Sequence, residues 1–268
     1  MKHIILSILA LSFISCHEDE EFDTYPPAAP RGIISLSLDN AVQLNWYHNT
    51  EPDVAGYNIW QSDRYDGRYV LLASTSDNEF IDYSAQNGAT FYYAISAYDF
   101  NDNESDLSTD VVYDTPRPEG FGVHVMEANA QAMFAGYDFS SFTIGPFNDQ
   151  YTDVFFEKVG GLYLLSVWDD TDIQDMGFTS SFDDISYSPV DGWAPSRTAE
   201  AIPGHTYVIW TWDDHYAKLH LRSVGDAGIV FDWAYQTAAG NTELRVVKQV
   251  PRKRPPLMRD KDRRRSGE

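Results

Sequence analysis

Phe91-Tyr92-Tyr93-Ala94-Ile95-Ser96-Ala97-Tyr98-Asp99 places an inward-type side chain at every second position: Phe91, Tyr93, Ile95 and Ala97. Side chains alternate across a β-strand, so a period of two over five to eight residues predicts a strand with one buried face. The same alternation extends outward from this run. Ile34, Leu36 and Leu38 show it, as do Val42, Leu44 and Trp46, then Tyr57 and Ile59, the block Tyr69 to Leu72, and Phe80. Turn-rich gaps separate these runs at Asn49–Asp53, Ser62–Gly67, Ser74–Asn78 and Gln86–Gly88. Seven short strands between about Pro30 and Pro116 predict a β-sandwich.

A second series of strands follows the Pro-rich linker Asp114-Thr115-Pro116-Arg117-Pro118-Glu119-Gly120. A linker of that composition predicts a semi-rigid spacer between two domains. Beyond it, Ala132 to Phe139, Thr152 to Phe156 and Leu162 to Trp168 read as strands. Thr206 to Trp212 and His215 to Leu221 flank Asp213-Asp214, the pattern of a hairpin with a two-residue turn. Gly228 to Gln236 reads as a third strand beside them. No helical i, i+3, i+4 spacing lasts more than a turn or two, so the whole chain is expected to be all-β. The boundaries read as a signal segment at 1–16, a tether at 17–29, a first sandwich at 30–116, a linker at 117–120, a second antiparallel β domain at 121–250 and a basic tail at 251–268.

Charge is distributed very unevenly. The formal −22 divides into +5 for residues 252–268, +1 from Lys2 and −28 for residues 17–251. So acidic a body repels phosphates, which excludes nucleic-acid binding by the folded part. Arg252 to Glu268 has no apolar periodicity and is expected to be disordered. Its basic residues suit anionic headgroups, and folding back onto the acidic body is the alternative. The single cysteine leaves no disulfide framework and no Cys-rich metal site.

That cysteine closes the N-terminal segment. Lys2 and His3 precede an apolar run from Ile4 to Leu11, and Ser12 and Ser15 lead to Cys16. A basic start, a short apolar run and small residues before a cleavage point make a secretory signal, too short for a permanent membrane span. Its ending resembles the lipobox of bacterial lipoproteins, with Phe13 where Leu is usual. The resemblance implies acylation of Cys16 by palmitate-type chains and a membrane anchor at the cell envelope. His17-Glu18-Asp19-Glu20-Glu21-Phe22-Asp23 looks like the acidic export signal of surface lipoproteins on the outer membrane; a solvated spacer is the alternative reading.

Two further resemblances concern the domains. Trp46, Glu51-Pro52-Asp53-Val54-Ala55-Gly56-Tyr57, Phe80-Ile81-Asp82, Gly88 to Asp99 and Asn103-Glu104-Ser105 together resemble a fibronectin type III domain. The tyrosine corner of that family falls on Phe91, which has no hydroxyl and leaves a backbone group to another partner, at a cost of about 1 kcal/mol. Tyr207-Val208-Ile209, Tyr216-Ala217-Lys218, Ile229 to Gln236 and Gly240-Asn241-Thr242-Glu243-Leu244 are similar to the C-terminal part of the HmuY family. Those are all-β surface lipoproteins, several of which bind haem. Asp213-Asp214 replaces the family's favoured Asp-Gly turn.

Candidate site residues come from both readings. Trp193 lies in the Pro/Gly loop Ser188 to Pro195, while Trp210 and Trp212 share a predicted strand face with Val208. All three are candidates to meet a sugar, a flat ligand or a partner surface. His205 and His215 are the haem-ligand candidates, because haem needs an axial His, Met or Tyr beside an apolar slot. His220, with Tyr216, Lys218 and Arg222, falls on the face read as solvent-exposed. Asp169, Asp170, Asp172 and Asp175 form the densest carboxylate run and are candidates for a hard cation, a solvated acidic loop being the plainer reading. Asp99-x-Asn101-x-Asn103 echoes a calcium loop, but Glu104 replaces the required Gly, and a polar turn is expected there. No paired acids or nucleophile elbow define a catalytic set. The expectation is therefore a non-enzymatic, lipid-anchored binding or adhesion protein without a cofactor, its partner a glycan or another surface protein. A haem carrier and a polysaccharide-binding accessory lipoprotein are the alternatives.

Overall fold

The structure is a computed structural model that describes residues 23–110 and 112–245. The signal segment with Cys16, the first part of the acidic tether and the basic tail lie outside the described residues. No α-helix occurs among the described residues, which form antiparallel sheets and two short 3-10 turns.

In the first half, β1 (Ile34–Leu38), β2 (Ala41–Asn45) and β5 (Glu79–Asp82) make a three-stranded sheet in the order β1-β2-β5. It packs on a four-stranded sheet, β4-β3-β6-β7, built from β3 (Val54–Ser62), β4 (Val70–Thr75), β6 (Phe91–Asp99) and β7 (Val112–Asp114). This three-on-four arrangement is a fibronectin type III-like sandwich. Alternation sends Val42, Leu44, Trp46, Tyr57, Ile59, Tyr93, Ile95 and Ala97 into one core. Phe91 packs at the edge of that core, and the bonded hydroxyl belongs to its neighbour on the same face. Tyr93 donates to Asp82 Oδ2 at 2.8 Å, and Gln61 donates to the same oxygen at 2.7 Å.

The second half is another sandwich. One sheet runs β13-β15-β16-β17-β8, from β8 (Glu119–Met126), β13 (Asp172–Phe178), β15 (His205–Trp210), β16 (Tyr216–Gly225) and β17 (Gly228–Gln236). The other runs β10-β9-β11-β12-β14, from β9 (Gly136–Asp138), β10 (Thr143–Gly145), β11 (Val154–Val159), β12 (Leu162–Ser166) and β14 (Thr198–Glu200). An aromatic-rich core that includes Tyr137, Phe139, Phe156, Phe231, Trp233 and Tyr235 fills the space between them. Part of the predicted strand Ala132 to Phe139 is instead a 3-10 turn, Ala132–Phe134, before β9 begins.

The hairpin turn expected at Asp213-Asp214 is longer than two residues. The turn between β15 and β16 holds five residues, because the strands stop pairing at Trp210↔Tyr216. Thr211 Oγ1 donates to Asp213 at 2.6 Å, and Asp214 adopts a left-handed φ of 64°. A hydroxyl that caps its own turn competes with the ladder. Trp212 therefore leaves the strand and does not share a face with Trp210 and Val208.

The far face of β16, expected to be open to solvent, is covered. Ser188 N donates to Thr242 O, and Leu244 N donates to Ser186 O, so two distant segments join across that face. Beneath them Val208, Tyr216 and Leu244 form a second apolar cluster with Met176, Ile185, Trp193 and Trp210. Lys218 is fully buried there, and His220 Nδ1 sits 2.9 Å from Thr206 Oγ1.

The segment between the sandwiches is also buried, from Asp114 through Pro118, and β8 begins at Glu119, within the stretch read as linker. Ser37 donates to Asp114, Gly88 N donates to Pro116 O, and Gln236 Nε2 donates to Glu243 O at 3.0 Å. Arg117 is 1% exposed and paired with Glu119 at 3.1 Å.

Candidate functional site

Three loops of the second sandwich converge on one open cleft. The first follows β12. Trp168 emerges there with its Nε1 donating to Phe147 O at 3.0 Å, and its ring rests on Phe155 at 5.1 Å between centroids. The second is the five-residue turn after β15, which carries Trp212. The third, before β11, supplies Asn148, Asp149, Gln150 and Thr152. Trp168 is 40% exposed and Trp212 58% exposed, so each presents indole surface to water.

The space between them divides into two adjoining clefts of about 510 and 440 Å³. Trp212 and Asp170 line both. The larger adds Trp168, Asp169 and the Asn148–Gln150 loop; the smaller adds Trp210, Asp172 and Asp214. Arg197 neutralises Asp172 at 2.6 Å and also donates to Thr171 O, which fixes the base of the loop. Asp214 Oδ1 accepts from Trp210 Nε1 at 2.9 Å, holding that indole at the rim. Behind Thr152 lies Asp153, whose carboxyl burial pushes up to about 7, offset in part by the bond from Phe139 N and reinforced by repulsion from Asp138, Asp213 and Asp170.

An indole face, amides and carboxylates at one cleft are groups that stack on a ring and accept hydrogen bonds from hydroxyls or amines. Of the candidates read from sequence, the fold gathers Trp210, Trp212, Asp169, Asp170 and Asp172 here. Trp193 packs at 5.9 Å on the inner side of Trp210, which itself stacks on Tyr216. Asp175 lies further along β13, bonded to His205 at 2.9 Å. His215 pairs with Asp213 at 3.2 Å and leans on Tyr235. His205 starts β15, whereas His215 directly precedes β16 at the other end of the ladder that pairs Thr206 with His220, which sets the two about 20 Å apart at strand rise. The two cannot face one iron from opposite sides.

Among the described residues, the carboxylates that converge within 4.8 Å are Asp23, Asp53 and Asp99, in the first half of the chain. The run Asp169, Asp170, Asp172 and Asp175 does not converge. Asp99 accepts from Asn101 N, Asn103 N and Asn103 Nδ2 at 2.8–2.9 Å, which makes it the cap of the expected polar turn. Sequence reasoning missed Trp168 and the Asn148–Gln150 loop as site residues. The signal was there in part: a tryptophan at a strand end followed by two acids, and a polar run after Pro146.

No family model matches the chain. Amylopullulanases of Thermoanaerobacterium thermosulfurigenes and Thermoanaerobacterium saccharolyticum are each 33% identical over 119 residues, 44% of this chain. The chain spans only 6% and 9% of the lengths of these relatives. Among solved structures, an Fn3-like protein from Clostridium thermocellum is 27% identical, with a TM-score of 0.30, over 35% of this chain and 98% of that one. A DUF4466 family protein from Parabacteroides merdae is 9% identical, with a TM-score of 0.42, over 78% of this chain and 99% of that one. The class the fold defines is an all-β protein of two antiparallel sandwiches, the first fibronectin type III-like.

Proposed function

We propose that this chain is a non-enzymatic binding protein of the cell envelope, anchored through Cys16. The fibronectin type III-like sandwich serves as spacer for an HmuY-like β domain that captures a glycan. The observation that carries the reading is the pair Trp168 and Trp212, each exposed across an indole face at a cleft whose floor offers amides and carboxylates. Exposing that much aromatic surface forfeits the stabilisation of burial, and sugar rings supply the apolar faces that recover it. The amylopullulanase relatives, named for pullulan, make pullulan oligosaccharides the first probe.

Calorimetric titration of the purified chain against a panel of glycans tests the reading. Binding that Trp168→Ala or Trp212→Ala abolishes supports it; a panel without a single binder rejects it. Metabolic labelling with a fatty-acid analogue, compared with Cys16→Ala, tests the anchor. The haem-carrier alternative stands or falls on a Soret shift at stoichiometric haem.

A further inference from the structure

The stacking pair says little about which sugar is held, because any pyranose has an apolar face. The charge around the pair is more selective. Asp149, Asp169 and Asp170 line the larger cleft, and Asp170, Asp172 and Asp214 the smaller, while neither contains a lysine or arginine among its lining residues. Among the described residues, Asp172 alone of these acids has a basic partner, Arg197. Asp149 and Asp214 do accept hydrogen bonds, from Tyr151 N at 3.0 Å and Trp210 Nε1 at 2.9 Å. Two exposed indoles complete the environment, and an indole face attracts a cation. A uronic acid entering this cleft would meet like charge on every loop. A sugar bearing an ammonium group would meet carboxylates and indole faces together.

We propose that the cleft selects glycans that carry protonated amines, such as runs of glucosamine. This rests on the glycan reading above and narrows it to a chemical class. The ammonium group sits among Asp149, Asp169 and Asp170 while a neighbouring ring stacks on Trp212 or Trp168.

The test is titration calorimetry on the full chain at mildly acidic pH with four probes of matched length. These are a deacetylated chitosan oligosaccharide, its N-acetylated counterpart, a pullulan oligosaccharide and an oligogalacturonate. The deacetylated probe should bind at least about tenfold more tightly than the acetylated one at low salt, with the advantage shrinking as screening rises. The oligogalacturonate should not bind. In the double variant Asp169→Asn/Asp170→Asn, the ratio of the two chitin-derived affinities should collapse to under about threefold. The same number of charges removed far from the cleft, by Asp63→Asn/Asp66→Asn, should leave the ratio in place. Equal shrinkage in both double variants would reduce the preference to the net charge of the chain and overturn the proposal. Equal affinity for acetylated and deacetylated probes would also overturn it while leaving glycan capture standing. Failure of all four probes would overturn both.

Discussion

Arg117 Nε donates to the carbonyl oxygen of Leu244, a residue 127 positions further along the chain. That bond ties the segment between the two sandwiches to the strap that crosses the outer face of β16. The guanidinium is almost wholly buried, and Glu119 is its ionic partner. Removing one member of a buried ionic contact leaves the other uncompensated, which costs about 3–5 kcal/mol. Arg117→Ala should therefore lower the urea midpoint markedly. Calorimetry should also resolve two transitions where the wild type shows tighter coupling. A loss below about 1 kcal/mol would mean that the junction contributes little.

Trp212 and Trp168 should separate binding from stability. Trp212 is more than half exposed and makes no ring contact with another described residue, so Trp212→Ala should shift stability by about 0.5 kcal/mol or less. Trp168 rests on Phe155 and Phe147, so Trp168→Ala should cost about 1–2 kcal/mol. Both should abolish glycan binding, and parallel melting and titration experiments will show whether they do.

Asp153 makes stability fall as pH rises. Its carboxyl is pushed up to about 7 by burial, above the ordinary aspartate value that applies in the unfolded chain. The native state therefore holds a proton that the unfolded state has released between about pH 4 and 7, so stability declines across that window. Asp153→Asn keeps an acceptor for Phe139 N and removes the proton. It should flatten the decline by an amount on the order of a few kcal/mol, measured from urea midpoints at several pH values. An unchanged slope would place Asp153 at its ordinary value.

Lys218 acts in the opposite sense. Burial pushes its ammonium down to about 6, so the native amine is deprotonated at pH values where the unfolded chain still carries the charge. Its Nζ donates to Ile185 O at 3.3 Å and lies 4.2 Å from the Phe182 ring, while Asp183, at 3.9 Å, belongs to Arg245. The wild type should gain stability as pH rises from about 7 to 10, and Lys218→Met should lose that gain. Met has nearly the same length and needs no solvation, so the variant should be at least as stable as the wild type at neutral pH. Denaturant titrations of both proteins across that range provide the check.

Much of the first sandwich was legible because its strands obey a local rule. Tyr57 and Ile59, or Tyr93, Ile95 and Ala97, point inward at every second position, and nothing far away is needed to see it. The turn after Trp210 was misread because Thr211 and Trp212 have strand composition while the Thr211 hydroxyl is committed to Asp213. Tyr216, Lys218 and His220 looked like a wet face because polar residues stand at two of the three positions. The chain that covers them comes from Ile185–Ser188 and Thr242–Leu244, which no local pattern connects to β16. The cleft is partly legible for the same reason. Its acids and Trp212 could be singled out one by one, but their meeting with Trp168 and the Asn148 loop depends on how two sheets are stacked.

The burial of Asp114 through Pro118 bears on how the chain will answer to proteases. Cleavage needs a stretch of backbone that can be drawn out into an enzyme's groove, and the boundary between the sandwiches has none to offer. The single basic residue there, Arg117, is shut away and followed by proline, a bond trypsin cuts poorly. Digestion should spare this boundary and leave both sandwiches in one fragment, so nicking will not serve to excise the second sandwich on its own.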